Sequence, residues 1–365
     1  MICFTWWGLT QYAARAIEAF NKASNESVCV VATRPKSSPV MGMERILSCP
    51  LVWVDEMDVD FIDKLPEVPR VLFVSNWNLP AWQYLEKIVQ EKNGKIVAMV
   101  DTNFTLFGNG GLLKKVMFFC SQIMRSIRFR ICMRRRFSHF FVVGESGYKL
   151  MRFYGVPDKY VSMGLYGADD FLFHNGAPLV QRPKRMIYVG QFINRKNVKR
   201  LIEAFLLAKK KIGDTDGDNS WHLDLFGDGV LYDEMIRLVV QSECTSIHIH
   251  PFCQPENLAK EYRCARVFCL PSYEEHWGVV VHEAALSGCV LLLANGVGSG
   301  EDFLGTDNGV SFSPISINEM TSAIVRTMLW TDDRWMKAQS MSLTLAANFG
   351  ISKFVEAVKN ICKIS

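Results

Sequence analysis

A chain of 365 residues, 49% hydrophobic and 21% charged, is too long for one average core and too apolar for disorder, and it suits two α/β domains. The formal net charge of +4 conceals a local excess: between Thr102 and Gly144 there is no Asp or Glu, while Lys114, Lys115, Arg125, Arg128, Arg130, Arg134, Arg135 and Arg136 supply eight cations, leaving the rest of the chain net acidic. No aromatic-interleaved binding module accompanies that run, which argues against nucleic acid as a partner.

In chain order, Met1-Ile-Cys-Phe-Thr-Trp-Trp7 opens without a charged leader and apolar stretch, so no secretion signal is expected. Short β-branched or aromatic runs then alternate with helical patterns, the mark of a parallel sheet covered by helices. Strands are predicted at 28–32, 71–75, 95–100 and 140–143, with helices at 11–22 and 81–91 among them. Over 112–136, Leu113, Val116, Met117, Cys120, Ile123, Met124, Ile127 and Ile131 share one helical face. Lys114, Arg125, Arg128, Arg135 and Arg136 share another sector, and Lys115, Arg130 and Arg134 fall outside it. That pattern predicts a helix packed by its apolar face with cations turned outward. Two readings stand: attraction to an anionic membrane, roughly 1 kcal/mol for each cation near the surface, or a solvated helix face.

The polar stretch 174–184 reads as an interdomain linker, and a second strand series follows at 186–189, 222–226, 247–250, 267–270 and 290–294. The eleven cysteines are odd in number and show neither a Cys-x-x-Cys pair nor a paired His-x-x-x-His, so they read as reduced thiols of a cytoplasmic protein. No apolar run approaches the ~20 residues that cross a bilayer.

The segment Pro271-Ser-Tyr-Glu-Glu-His-Trp-Gly-Val-Val-Val-His-Glu-Ala-Ala-Leu-Ser-Gly288 carries the most chemistry. A strand ending at Leu270 runs into a loop, and a helix starts near Trp277 or Gly278. Its unpaired N–H groups and partial positive charge suit a diphosphate, and Gly278 permits close backbone approach. Glu275 and Glu283 bracket that turn and can reach hydroxyls on either side of the diphosphate.

These residues resemble the large family of retaining glycosyltransferases with the GT-B fold, whose mark is Glu-x7-Glu, matched by Glu275 and Glu283. The resemblance implies that Glu275 meets the donor sugar, that Glu283 meets the ribose, and that the backbone of Trp277, Gly278, Val279 and Val280 meets the diphosphate. The strand and basic loop from Met186 through Gly190, Gln191, Arg195 and Lys196 to the helix opening near Val198 resemble the family's phosphate-binding turn, with Lys196 at its lysine. A fixed cation there stabilises the charge left on the leaving diphosphate. Gln191 stands where relatives commonly carry Arg, with Arg195 as an alternative guanidinium, and Asn197 stands where Gly is usual. Gly227, in Leu223-Asp-Leu-Phe-Gly-Asp-Gly229, matches the turn beside the nucleotide, and Pro251 and Phe252 match the loop that meets the base. In all, the likeness covers 140–312.

In the first half the likeness thins. Gly8 sits at the loop expected to meet the donor phosphate, and Trp7, Asp101 and Asn103 are expected on the acceptor side. Relatives often place a His-containing turn near 101–103. None is present, so no general base is assigned, and the donor phosphate can take the acceptor proton instead. Asp58-Val-Asp60 and Asp214-Thr-Asp-Gly-Asp218 read as solvated turns. His276 and His282 lack metal-ligand spacing, and no metal or other cofactor is expected.

The resemblance therefore implies an α/β protein of GT-B architecture, two Rossmann-like domains with parallel sheets facing across a cleft. Residues 1–178 would bind the acceptor and 179–345 the nucleotide sugar, with a C-terminal helix in 346–365 returning to the first domain. The implied function is retaining, metal-independent sugar transfer from a nucleotide-diphosphate donor to a glycan or lipid-linked acceptor in bacterial surface-polysaccharide synthesis (capsule, O-antigen or exopolysaccharide). The location would be cytoplasmic, with peripheral contact at the inner face of the plasma membrane. Two alternatives stay open: a nucleotide-sugar epimerase of the same architecture, and a non-catalytic membrane-surface partner.

Overall fold

In the computed structural model the described residues are 1–34, 43–55, 60–102, 104, 112–213 and 220–363. They form two compact units, Met1–Gly167 with Phe349–Ser365, and Ala168–Asn348.

The first unit holds β1 (Ile2–Trp6), β2 (Val28–Ala32), β3 (Leu51–Trp53), β4 (Val71–Val74), β5 (Lys95–Val100), β6 (His139–Val142) and β7 (Val161–Met163). They form one sheet in the order β3-β2-β1-β4-β5-β6-β7, every pairing parallel. β1, β2, β4 and β6 are buried along their whole length, as strands covered on both faces must be. Phe4 of β1 stacks on Phe73 of β4 at 4.7 Å and meets Phe354 at 6.0 Å, so the helix Ile351–Lys363 closes this core.

The second unit holds β8 (Arg185–Val189), β9 (His222–Phe226), β10 (Ile247–His250), β11 (Val267–Leu270), β12 (Val290–Ala294) and β13 (Gly309–Phe312). Their order is β10-β9-β8-β11-β12-β13, again parallel throughout. The stretch 174–184, expected as a linker, belongs to this unit and is tied to it by Leu179 and Arg182. Leu179 is fully buried, and Arg182 donates to the carbonyls of Ala177 and Ala265 at 2.8 Å and of Ser287 at 2.9 Å. A buried guanidinium needs such partners, and only a fixed segment supplies them.

The basic segment corrects a second expectation. It forms the helix Leu112–Arg128, a π-helical turn Phe129–Met133 and a 3₁₀ turn Arg134–Arg136. The polar Gln122 and Ser126 are buried, Ser126 donating to the Phe153 carbonyl at 3.1 Å, while the apolar stripe is exposed. Three of the eight cations are held against the unit by bonds or ring contacts. Arg136 donates to Glu86 Oε1 and to the Trp77 carbonyl, both at 2.6 Å, and Glu86 is 3% exposed. Arg130 donates to the carbonyls of Phe153 and Tyr154 at 3.0 and 3.1 Å. Arg134 lies over the rings of Phe140 and Tyr160 at 5.6 and 5.0 Å.

Candidate functional site

In an open parallel sheet, ligands meet the carboxyl ends of the strands. In the second unit, six turns leave those ends, one after each of β8 to β13. β8 runs into Gly190, whose N–H donates to the Phe226 carbonyl at 3.0 Å, and the Gly227 N–H donates to the His250 carbonyl at 3.2 Å. These bonds bring the first three turns side by side. Gly227 has φ +157°, and a Cβ there would lie 1.9 Å from the Gly190 carbonyl oxygen. Only glycine lets the two turns pack so closely. Gln191 is exposed, and its carbonyl accepts from the Tyr188 hydroxyl at 3.0 Å. Pro251 and Phe252 follow β10 and are exposed, beyond His250, which bonds Asp224 at 2.6 Å and stacks on Phe226.

The turn Asn194–Lys196 ends on Asn197 at φ +59°, a left-handed position that Asn tolerates. The Asn197 amide donates to the carbonyls of Pro271 at 3.1 Å and Pro314 at 2.9 Å. Asn here does what the usual glycine does for the backbone and ties the basic turn to the loops after β11 and β13. So held, Lys196 is 7% exposed, and its ammonium is hydrogen-bonded to Glu275 Oε2. Arg195 reaches the same oxygen at 3.2 Å and donates to the Glu274 carbonyl at 2.6 Å. Glu275 is fixed in turn by its backbone, which donates to Gly296 at 2.9 Å and accepts from Gly298 at 3.0 Å.

Gly278 caps the helix Val279–Leu286 at φ +86° with no side-chain cap. Among the described residues the N–H groups of Gly278, Val279 and Val280 have no partner. They form a donor cluster at a positive helix end, next to the Lys196–Glu275 pair. The Trp277 indole is not part of that surface. It is 1% exposed, donates to Asp302 at 2.6 Å and packs on Phe303 at 5.2 Å.

Glu283 lies one turn into this helix, its Oε2 accepting from the Tyr262 hydroxyl at 3.1 Å. Burial pushes the Glu283 carboxyl up to about 7, with the Tyr262 hydrogen bond pulling the other way. Tyr262 was not anticipated from the sequence, since an aromatic on the buried side of Pro255–Cys264 looks like any core residue until its hydroxyl is seen between Val280 and Glu283. His282 is structural. Its Nδ1 accepts from the Ala168 N–H at 2.9 Å, its Nε2 meets the Ala346 carbonyl at 3.0 Å, and burial pushes it down to about 4.

The first unit has its own set at strand ends. Gly8, at φ +67°, donates from its N–H to Thr33 Oγ1 at 2.8 Å, and the Trp7 N–H donates to Ser75 Oγ at 2.8 Å. Trp6 is buried in β1, whereas the Trp7 side chain is 47% exposed. Asp101 follows β5 and is exposed. Asn103, Asp58 and the 214–218 acidic turn lie outside the described residues.

Residues 171–340, inside the second unit, match the family model of the glycosyl transferases group 1. No curated protein matches the chain by sequence. Among solved structures, HepE of Anabaena in complex with UDP superposes with a TM-score of 0.73 at 13% identity, covering 99% of each chain. A glycosyltransferase from Rickettsia africae gives 0.71 at 13% identity over 100% of this chain and 99% of the other. Sucrose-phosphate synthase from Thermosynechococcus elongatus gives 0.69 at 14% identity over 100% and 98%. At these identities the likeness is one of fold, and the fold is GT-B.

Proposed function

We propose, from the premise that this chain is a glycosyltransferase of GT-B fold with a group 1 domain in its second unit, that it transfers a sugar from a nucleoside diphosphate to an acceptor hydroxyl with retention of configuration and without a metal ion. One arrangement supports this above all others. Lys196 and Arg195 converge on Glu275 beside three N–H groups at a helix N-terminus that have no partner among the described residues. Two cations and a ring of N–H donors suit a diphosphate, and the carboxylate beside them suits a sugar hydroxyl.

In this reading the diphosphate lies against the N–H groups of Gly278, Val279 and Val280, close to Gly190 and Gly227. Lys196 exchanges part of its bond to Glu275 for a phosphate oxygen, and Glu275 accepts from the sugar. Glu283, oriented by Tyr262, accepts from the ribose, and the base lies toward Pro251 and Phe252. The bond from the anomeric carbon to the diphosphate oxygen breaks, and the bond to the acceptor oxygen forms on the same face. The acceptor proton passes to the departing diphosphate, whose charge Lys196 and Arg195 stabilise in place of a metal. For the first unit, the resemblance assigns Gly8 to the phosphate and Trp7, Asp101 and Asn103 to the acceptor side.

Uridine is the first base to test, since HepE has been crystallised with UDP, and with UDP and glucose. The run from Trp277 to Ala284, similar to that of enzymes building bacterial surface glycans, favours capsule, O-antigen or exopolysaccharide as product and a lipid-linked acceptor at the inner face of the plasma membrane.

Calorimetry with UDP, GDP and ADP, followed by NMR of the product formed from the matching sugar donor in EDTA, tests this. A bound nucleotide and a product with the donor's anomeric configuration are expected. Loss of turnover in EDTA would remove the metal-free mechanism, an inverted product would remove retention, and conversion of the donor to an epimeric sugar without acceptor would make the protein an epimerase.

A further inference from the structure

The helix Leu112–Arg128 and the turn after it present apolar side chains to solvent. Leu113 and Ile131 are each 74% exposed, with Met117 and Met124 nearly as bare and Val116, Cys120, Ile123 and Ile127 between them. At 100° per residue these eight fall on one side, and the buried Gln122, Ser126 and Phe129 fall on the opposite side. Seven of the 21 large apolar side chains exposed among the described residues come from positions 113–131, so this is one patch rather than scatter. No helix among the described residues is long and apolar enough to cross a membrane.

Charge indicates what covers the patch. Lys114, Arg125 and Arg128 run along one flank of the stripe, and Lys115 and Arg135 stand near its ends. All five are exposed, and none makes an ion pair among the described residues. A second copy of this chain would fit poorly. A two-fold interface sets a patch against itself, and here it would bring cations against cations with no carboxylate between Thr102 and Gly144 to separate them.

We propose that this helix is an interfacial anchor, lying in the plane of an anionic bilayer with Leu113, Met117, Met124 and Ile131 in the acyl boundary and Lys114, Arg125 and Arg128 at the headgroups. An apolar face beside a cationic flank, on a helix too polar to span, is the arrangement that binds such surfaces. The anchor belongs to the first unit, and its test does not depend on the donor reading of the second.

The test is sedimentation of the whole protein with vesicles of pure phosphatidylcholine and of phosphatidylcholine with 30% phosphatidylglycerol, a composition chosen on the order of natural anionic content. The parent should bind the anionic vesicles at least tenfold more tightly than the neutral ones. Met117→Asp with Met124→Asp removes no packing, since both side chains are bare, and should lower binding about tenfold or more at any salt. Lys114→Gln with Arg125→Gln and Arg128→Gln should lower the preference for anionic vesicles about tenfold or more and flatten the salt dependence, Lys115 and Arg135 keeping the remainder. Binding of UDP, read in parallel, should stay unchanged in both variants, which separates a failure of the anchor from a failure of the donor reading. Equal sedimentation of parent and Met variant would overturn the proposal, as would equal binding to both vesicle types. So would a parent dimer that ignores vesicles and becomes a monomer in the Met variant, because a second copy would then own the face.

Discussion

The two units share a covered parallel sheet and use their charged residues in opposite ways. In the second, Lys196, Arg195 and Glu275 face one another at the carboxyl ends of the strands, held by Asn197, Gly227 and the backbone of Gly296 and Gly298. In the first, cations of the 112–136 segment divide between contacts with the unit and bare solvent, and their neighbours in sequence can have unrelated duties. A charge in the second unit is understood from the turn that carries it. In the first it is understood only from which side of the helix meets the protein.

The sharpest break would come from two adjacent arginines. Arg136→Ser strands the buried Glu86 and should destabilise the protein by about 3–5 kcal/mol. Arg135→Ser, on an exposed side chain, should stay within about 0.5 kcal/mol. Urea unfolding measures both, and equal midpoints would show that the inward and outward cations are not distinct. Next in size, Lys196→Ala should lower the catalytic constant on the order of 10²–10³ at saturating donor, about 2.7–4 kcal/mol of barrier. Activity within threefold of the parent would leave the second unit's charges without a role in catalysis.

Glu283→Gln sharpens the comparison further. A carboxyl near 7 in the folded protein, against about 4.5 unfolded, is protonated more readily when folded, so it adds stability below pH 4.5 that is lost as pH rises through 7. At pH 8 the variant should therefore be more stable than the parent without donor, by up to about 3 kcal/mol. His282, pushed down to about 4, runs the other way, its stabilisation fading as pH falls from 6.5 to 4. The parent's second unit should thus vary little between pH 6.5 and 4.5 from this pair, whereas the variant should lose stability there. If the ribose role holds, parent affinity for UDP rises as pH passes 7 and the variant's does not. The smallest effect is at Asn197. Asn197→Ala loses two hydrogen bonds and strains a left-handed residue, about 2 kcal/mol, and Asn197→Gly should recover roughly half. Identical melting of all three would remove the bracing role.

Much of this was legible beforehand, and for a physical reason. The five strands expected in the second half are all observed, because buried parallel strands are short apolar runs between turns. β13 escaped because Gly309–Phe312 is half exposed and follows a turn-like Asp307-Asn308. β1 escaped because Thr5 interrupts its apolar run and Trp6 leads straight into the Trp7-Gly8 turn, so the stretch reads as loop. At the site, glycines and paired glutamates declare themselves, since backbone geometry permits few substitutes. Tyr262 does not, being one hydroxyl on a core ring. On the helix Leu112–Arg128, periodicity revealed the apolar face and could not reveal its direction. An apolar stripe has the same period whether it meets a core or a solvent-exposed surface, and only the buried Ser126 and Gln122 decide it.

The His282 ring holds one further consequence. It takes the N–H of Ala168 on one nitrogen and the carbonyl of Ala346 on the other, so the first and last turns of the second unit meet at a single side chain. A segment whose ends lie that close is a cassette. A few added residues can join Ala346 to Ala168, and the chain can be reopened at an exposed loop such as the one after Ser242, away from the strand ends that carry Lys196 and Glu275. The same proximity makes the second unit a portable donor module, fit for insertion into another scaffold at one surface loop.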